Sequence, residues 1–198
     1  MKNVMTCTLL MFGLLLGVNV NAQKIAIGGG LGAAKLTGDL GKDGSFGLQY
    51  LLEGKYFFTD QLAAGLEYNG NAIAFGNDGG LFGVSAYGAT LYLAKGEYFL
   101  TNGTVQPYVG LGLGLGQIST PEITVSDGTG NSSTIPSESS FNLAVSPRLG
   151  VQISSFALEF AYNITGKTPK SELQNTTVAD MPFNFYNITV KYNYLYEW

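Results

Sequence analysis

Few side chains in this sequence are able to do chemistry, and six of them share a pattern. Glu53, Lys55, Glu67, Arg148, Glu159 and Lys191 each fall in a stretch where polar or small residues alternate with large apolar ones. Three are acids and three are bases. Such a set can do acid–base work, line an ion path, or cancel its own charge in a buried layer. The chain has no histidine, so Ser-His-acid hydrolysis, other His-dependent acyl chemistry and His-based metal sites are excluded in their usual forms. The glycines at 110, 112, 114 and 116 look like a phosphate loop only at first glance. Their spacing is every second residue, not the pattern that opens a helix, so they read as one small-residue face of a strand. Gly28-Gly29-Gly30 reads as a strand kink or bulge. Glu122, Asp127 and Glu138 match no calcium loop, and Asn-x-Ser/Thr triplets such as those at Asn131, Asn163, Asn175 and Asn187 read as chance. No catalytic set, cofactor site or metal site emerges.

Which way the six charges point depends on the elements that carry them. The most regular is the last, Phe183–Trp198. Tyr186, Ile188, Val190, Tyr192, Tyr194, Tyr196 and Trp198 share one face, and Asn187, Thr189, Lys191 and Asn193 share the other. This alternation runs well past the usual strand of about 5–6 residues and suits a tilted strand crossing a bilayer. The same period places strands at Lys24–Leu36, about Ser45–Phe58, Leu62–Asn69, Val105–Ile118, Phe141–Ile153 and Phe156–Ile164. A fourth strand is expected at about Phe82–Leu93, with a turn in Ala94–Thr104; its period is blurred and its faces are unassigned. The strand count is eight. Connections near residues 60 and 155 are tight, whereas Thr37–Gly44, Ser119–Ser140 and Gly166–Pro182 are long and polar. Short turns on one side and long loops on the other define an outer-membrane barrel pattern. Charged residues are only 12% of the chain, against about 25% in soluble domains, and Gly numbers 28. With a net charge of −4, the chain is also unsuited to nucleic acid.

Residues 1–22 read as a cleaved signal: Lys2, then the apolar run Leu9–Val18, then Val20-Asn21-Ala22 before Gln23. Residues 23–198 then form the barrel domain, without the single cysteine, Cys7. The expected fold is all-β: a closed, eight-stranded, antiparallel, transmembrane up-and-down barrel. Closure follows because an open sheet edge is not tolerated in lipid. The alternation points all six charges into the lumen, in one layer. The interior of such a barrel is only just wide enough for side chains, so the charges are expected to pair and plug it.

The signal ending Asn-Ala with Gln next, the segments Tyr56-Phe57-Phe58-Thr59-Asp60-Gln61-Leu62 and Pro107-Tyr108-Val109-Gly110-Leu111-Gly112, and the terminal strand carry a resemblance. Over 23–198 the chain resembles the small outer-membrane barrels of the OmpA/OmpX type, and most of all the barrel-only outer-membrane proteins of Bacteroidetes-like bacteria. That resemblance implies an assembly signal in Val190, Tyr192, Tyr194, Tyr196 and Trp198, read by the barrel-assembly machinery. It also implies residence in the outer membrane among lipid A and other lipids. It does not imply one function, since such barrels serve as structural proteins, adhesins, small pores or enzymes. The expected role is non-enzymatic, structural or surface-interacting, with a ligand at the outer loops. The alternatives are a small pore or transporter and a secreted soluble ligand-binding barrel. The last needs an apolar interior and a polar exterior, the inverse of the alternation here.

Overall fold

The computed structural model describes residues 24–41, 46–74, 86–120, 123–126, 132–135, 137–168, 172–173, 176–177 and 181–197. The expected signal and Trp198 lie outside these. In chain order the strands are β1 (Lys24–Leu36), β2 (Phe46–Phe57), β3 (Leu62–Ala74), β4 (Ala86–Phe99), β5 (Val105–Ser119) and β6 (Ile123–Ser126). They continue with β7 (Ser132–Ile135), β8 (Ser139–Ile153), β9 (Phe156–Lys167), β10 (Glu172–Leu173), β11 (Thr176–Thr177) and β12 (Pro182–Glu197). Eight of them close an antiparallel barrel in the order β1-β12-β9-β8-β5-β4-β3-β2. β12 seals it, pairing with β1 from Lys24↔Glu197 to Leu36↔Phe185 and with β9 on its other edge. No edge is left in the barrel wall, the condition that lipid imposes on a sheet.

Three tight turns lie at one end. At one of them the Thr59 hydroxyl accepts from the amides of Gln61 (3.2 Å) and Leu62 (2.9 Å) and so fixes the β2–β3 connection. At another, Ser154 and Ser155 join β8 to β9, with Ser154 at φ 54°. The opposite end carries the long connections. The 119–140 stretch, expected to be loop throughout, contains the β6–β7 hairpin, paired from Ile123↔Ile135 to Ser126↔Ser132. Below it the Thr120 amide donates to the Glu138 carbonyl at 2.9 Å, so the β5–β8 ladder runs on past the barrel rim.

The outer wall is apolar. Leu31, Leu52, Leu66, Leu113, Leu143, Leu158 and Val190 are all exposed, as are Tyr192, Tyr194 and Tyr196. Aromatic rings gather toward the short-turn end, where Tyr56 meets Phe58 edge-on with centroids 5.0 Å apart. A continuous apolar belt with aromatic girdles is a surface made for lipid.

Two expectations need correction. β4 does not end at Leu93 but runs to Phe99, so Ala94–Phe99 is strand and the turn is confined to 100–104. Its period was blurred because apolar Leu91 and Leu93 point inward while small residues, Ala94 and Gly96, share the outer face with Tyr92 and Tyr98. Gly28-Gly29-Gly30 is not a bulge: all three keep unbroken register with β12 and β2. A Cβ on Gly30 would stand 2.9 Å from the Val190 carbonyl oxygen and 3.0 Å from Lys191 Cγ, so glycine there admits close strand approach beside a lumen side chain.

The same argument applies most severely to Gly114, where a Cβ would lie 1.9 Å from the Tyr92 carbonyl oxygen, a backbone atom that cannot step aside. Gly114→Ala is expected to destabilise the folded barrel by about 1–3 kcal/mol. Gly103→Ala, whose nearest neighbour is 3.9 Å away, is the control expected to change little. Urea unfolding in lipid vesicles reads both.

Candidate functional site

The strands deliver eight charged side chains to the lumen, not six. Glu53 and Lys55 come from β2, Glu67 from β3, Lys95 and Glu97 from β4, Arg148 from β8, Glu159 from β9 and Lys191 from β12. Each is no more than 4% exposed. The six singled out from the sequence all fall here. Lys95 and Glu97 were missed because the β4 period was unreadable and Lys95-Gly96 looked like turn chemistry. Inward parity at Lys95, Glu97 and Phe99 was the signal that could have found them.

The set is four acids and four bases, and the ion pairs join them into one network. Lys55 Nζ lies 3.2 Å from Glu53 and 2.9 Å from Glu97. Lys95 Nζ pairs with Glu53, with Glu97 at 2.8 Å and with Glu67 at 3.4 Å. Arg148 pairs with Glu67 and, at 3.4 Å, with Glu159. Lys191 Nζ reaches Glu159 at 2.7 Å, Glu53 at 3.3 Å and Glu97 at 3.9 Å. No carboxylate has fewer than two cationic neighbours, which is what keeps charges tolerable away from water. Two cations also lie over aromatic rings, Lys55 over Phe99 at 5.7 Å and Lys191 over Tyr108 at 5.4 Å. The Tyr108 hydroxyl donates to Glu159 at 2.9 Å.

The glycine face of β5 explains how so much side chain fits. Gly110 and Gly112 pass directly under the Arg148 side chain, where added Cβ atoms would stand 3.0 Å from its Cγ and 2.9 Å from its Nη2. Small residues on one strand are thus the space into which a long residue from the next one folds.

Toward the long-loop end the charges pass into a chain of amides. Arg148 Nη2 donates to Ser146 Oγ at 3.1 Å, and Ser146 donates to Asn163 Oδ1 at 2.8 Å. Asn163 Nδ2 donates to Asn187 at 2.5 Å, and Asn187 Nδ2 to Asn71 at 2.8 Å. Asn71 Nδ2 donates to Asn69 at 3.0 Å, and Asn69 Nδ2 to Glu67 Oε1 at 3.3 Å. The direct Arg148–Glu67 pair closes the ring. Along the amide chain every donor points from Arg148 toward Glu67, the arrangement in which hydrogen bonds polarise one another, and Arg148 also donates directly to Glu67. The ring ties β8, β9, β12 and β3 together across the lumen.

Apolar layers lie on either side of this polar block. Leu36, Ile73, Leu91, Leu93, Ile118, Phe183 and Phe185 cluster at the long-loop side. Phe57, Phe99, Tyr108, Ala63 and Ala157 cluster at the short-turn side. The charge network and the amide ring thus sit between two largely apolar layers. Nothing in the arrangement resembles a cofactor cradle, and among the described residues no group of His, Cys, Asp and Glu is placed to hold a metal.

Fold and wall together define a small β-barrel of the outer-membrane class. Among solved structures, neisserial surface protein A is similar: 15% identity, 85% of this chain and 95% of that one covered, TM-score 0.56. Ail, the attachment invasion locus protein of Yersinia pestis, and OprG of Pseudomonas aeruginosa are further matches. Ail covers 87% of this chain and 99% of its own at 17% identity and TM-score 0.47. OprG covers 87% and 96% at 16% identity and TM-score 0.46. No protein-family model matches the sequence, and a search of curated proteins finds no match.

The charge count makes a direct prediction. Lys95→Met leaves four acids against three bases in the layer and is expected to lower stability by about 3–5 kcal/mol. Adding Glu97→Leu restores parity at three against three and should recover a large part of that loss. Equal destabilisation in the single and double variants, by denaturant unfolding in detergent, would refute the charge-balance account.

Proposed function

We propose that this chain is an integral outer-membrane barrel with a non-enzymatic structural and surface-interaction role and a lumen that does not conduct. One observation carries the reading. The eight-charge layer is internally neutral and sits between two apolar layers, the aromatic Phe57–Phe99–Tyr108 side and the Phe183–Phe185 side. An ion crossing the barrel would have to break buried pairs and then enter apolar packing, and both steps are costly. The exposed apolar wall argues against a secreted soluble barrel. The absence of histidine, with all eight lumen charges engaged by one another, supports a role without catalysis.

In this reading the short-turn end faces the periplasm and the long connections face outward. The partners are outer-membrane lipids, including lipid A, along the wall, the barrel-assembly machinery, and a ligand at the outer connections. The exposed row Val190, Tyr192, Tyr194 and Tyr196 on β12, together with Trp198 at the same alternation in the sequence, supplies the assembly signal.

Reconstituted into planar bilayers, the protein is expected to show no steady conductance, and stable channels that vanish on altering Arg148 would defeat the closed-lumen reading. Removing Trp198 is expected to reduce the amount assembled in the outer membrane of cells while leaving refolding in detergent close to normal. Lys191→Ala should have the reverse balance, and heat-modifiable gel mobility measures both.

A further inference from the structure

The outer wall carries a groove over β1 that the packing of the barrel does not require. Of the three glycines at 28–30 only Gly29 points outward, on the face that also shows Ile27 and Leu31. A Cβ on Gly29 would meet the Leu51 carbonyl oxygen and Leu52 Cδ2 at 3.5 Å, ordinary contact distances, so a larger residue fits there. Glycine in a strand interior also weakens the strand, and here no close backbone approach calls for it. The flanking rings widen the space. Tyr192, the β12 partner of Gly29, turns to Phe156 on β9 and meets it edge-on with centroids 5.3 Å apart. Tyr50 on β2 leans the other way, over Gly70, with its hydroxyl 3.3 Å from that of Tyr68 on β3. What remains over β1 is an apolar groove of about 590 Å³, lined by Leu31, Leu52, Phe156, Val190 and Tyr192, with Gly29 in its floor.

The same face of β1 ends in a cation. Among the described residues Lys35 is the one charged side chain at an outward position of the eight barrel strands. It is paired with Phe46 on β2 and Tyr186 on β12, and its Nζ lies 5.0 Å over the Phe46 ring. No carboxylate pairs with it among the described residues. A charge on a lipid-facing wall is held at the headgroup level, where aromatic neighbours also collect. The outward run from Gly29 through Leu31 and Ala33 to Lys35 covers about 20 Å, at roughly 3.3 Å per residue. At a strand tilt of about 40° that is a descent of about 15 Å, one leaflet of a hydrocarbon core about 30 Å thick. A lipid whose headgroup meets Lys35 therefore has chains that reach the groove at Gly29.

We propose that this face of β1 seats one outer-leaflet lipid A molecule: a phosphate accepts from the Lys35 ammonium beside Phe46, and an acyl chain runs past Ala33 and Leu31 into the groove over Gly29. The unpaired cation sets the sign of the headgroup, and the apolar groove sets the nature of what hangs from it. The choice of leaflet rests on the reading above, in which the long connections face outward, since Lys35 lies at the end of β1 that leads to them.

The test titrates the full barrel, folded in detergent, with bisphosphorylated lipid A, phosphate-free lipid A and phosphatidylglycerol, and counts bound lipid by native mass spectrometry. One bisphosphorylated lipid A per barrel is expected, with the other two lipids binding more weakly. Lys35→Gln is expected to weaken lipid A about fivefold, the factor that one lysine at an anionic lipid surface contributes. Gly29→Leu, which fills the groove, is expected to weaken it several-fold while heat-modifiable mobility is kept. Leu113→Ala, on β5 across the barrel from β1, is the control expected to change nothing. Lys35→Gln, at the rim, keeps the test readable if Gly29→Leu does not fold. Equal binding of phosphate-free lipid A or of phosphatidylglycerol, unchanged affinity in folded Lys35→Gln, or the same loss in Leu113→Ala would overturn the proposal. Failure of the outer-membrane reading shows elsewhere, as recovery of the protein in the soluble fraction of washed cells.

Discussion

Charge neutrality in a narrow, water-poor lumen is the constraint on which the rest of this structure depends. Eight ionised side chains share one layer, and the interior of an eight-stranded barrel cannot hydrate them as bulk water would. They are tolerable together because each carboxylate is held by at least two cations drawn from different strands. That requirement reaches into the backbone. Arg148 occupies its position only because Gly110 and Gly112 leave the space, and Lys191 has room only because Gly30 stands beside it. The unusual glycine content and the charge layer are two sides of one packing solution.

The amide ring adds directional order to this neutrality. Ion pairs are forgiving about geometry, and several arrangements of four acids and four bases would cancel. The donor sequence from Arg148 through Ser146, Asn163, Asn187, Asn71 and Asn69 to Glu67 is less forgiving, because each amide must present its nitrogen forward and its oxygen back. It selects one orientation for Arg148 and Glu67 and so one pairing of the network. The apolar clusters at either side keep water from competing with it.

Much of this was legible in the sequence. β12 and β5 announced themselves because over Tyr186–Tyr194 and Val109–Leu115 one face is large and apolar while the other is polar or small, so the period of two stands out. The placement of six charges in the lumen followed from parity alone. β4 hid itself for a physical reason. Its inner face is apolar at Leu91 and Leu93, where it meets the long-loop cluster, and charged only at Lys95 and Glu97, while its outer face carries Ala94 and Gly96 among tyrosines. With apolar residues on both faces there is no contrast for a period to show. The apolar layers capping the lumen were invisible for the same reason: an inward Phe183 or Ile73 looks like any other strand residue until the neighbouring strands are placed. The asparagine ring could not be read at all, since its bonded partners lie up to 116 residues apart.

The position of Lys191 on the closing strand has a consequence for fidelity. Its ammonium meets carboxylates from β2, β4 and β9, three different strands of the barrel. Were β12 to dock one residue out of step, parity would turn Lys191 to the lipid and swing Tyr192 inward. Glu53, Glu97 and Glu159 would then each lose a cation at once. Backbone hydrogen bonding along the seam is nearly indifferent to such a slip, because every strand residue offers the same donor and acceptor. The lumen charges are not indifferent. They act as a checksum on the seam, legible only when the last strand has entered in the correct frame.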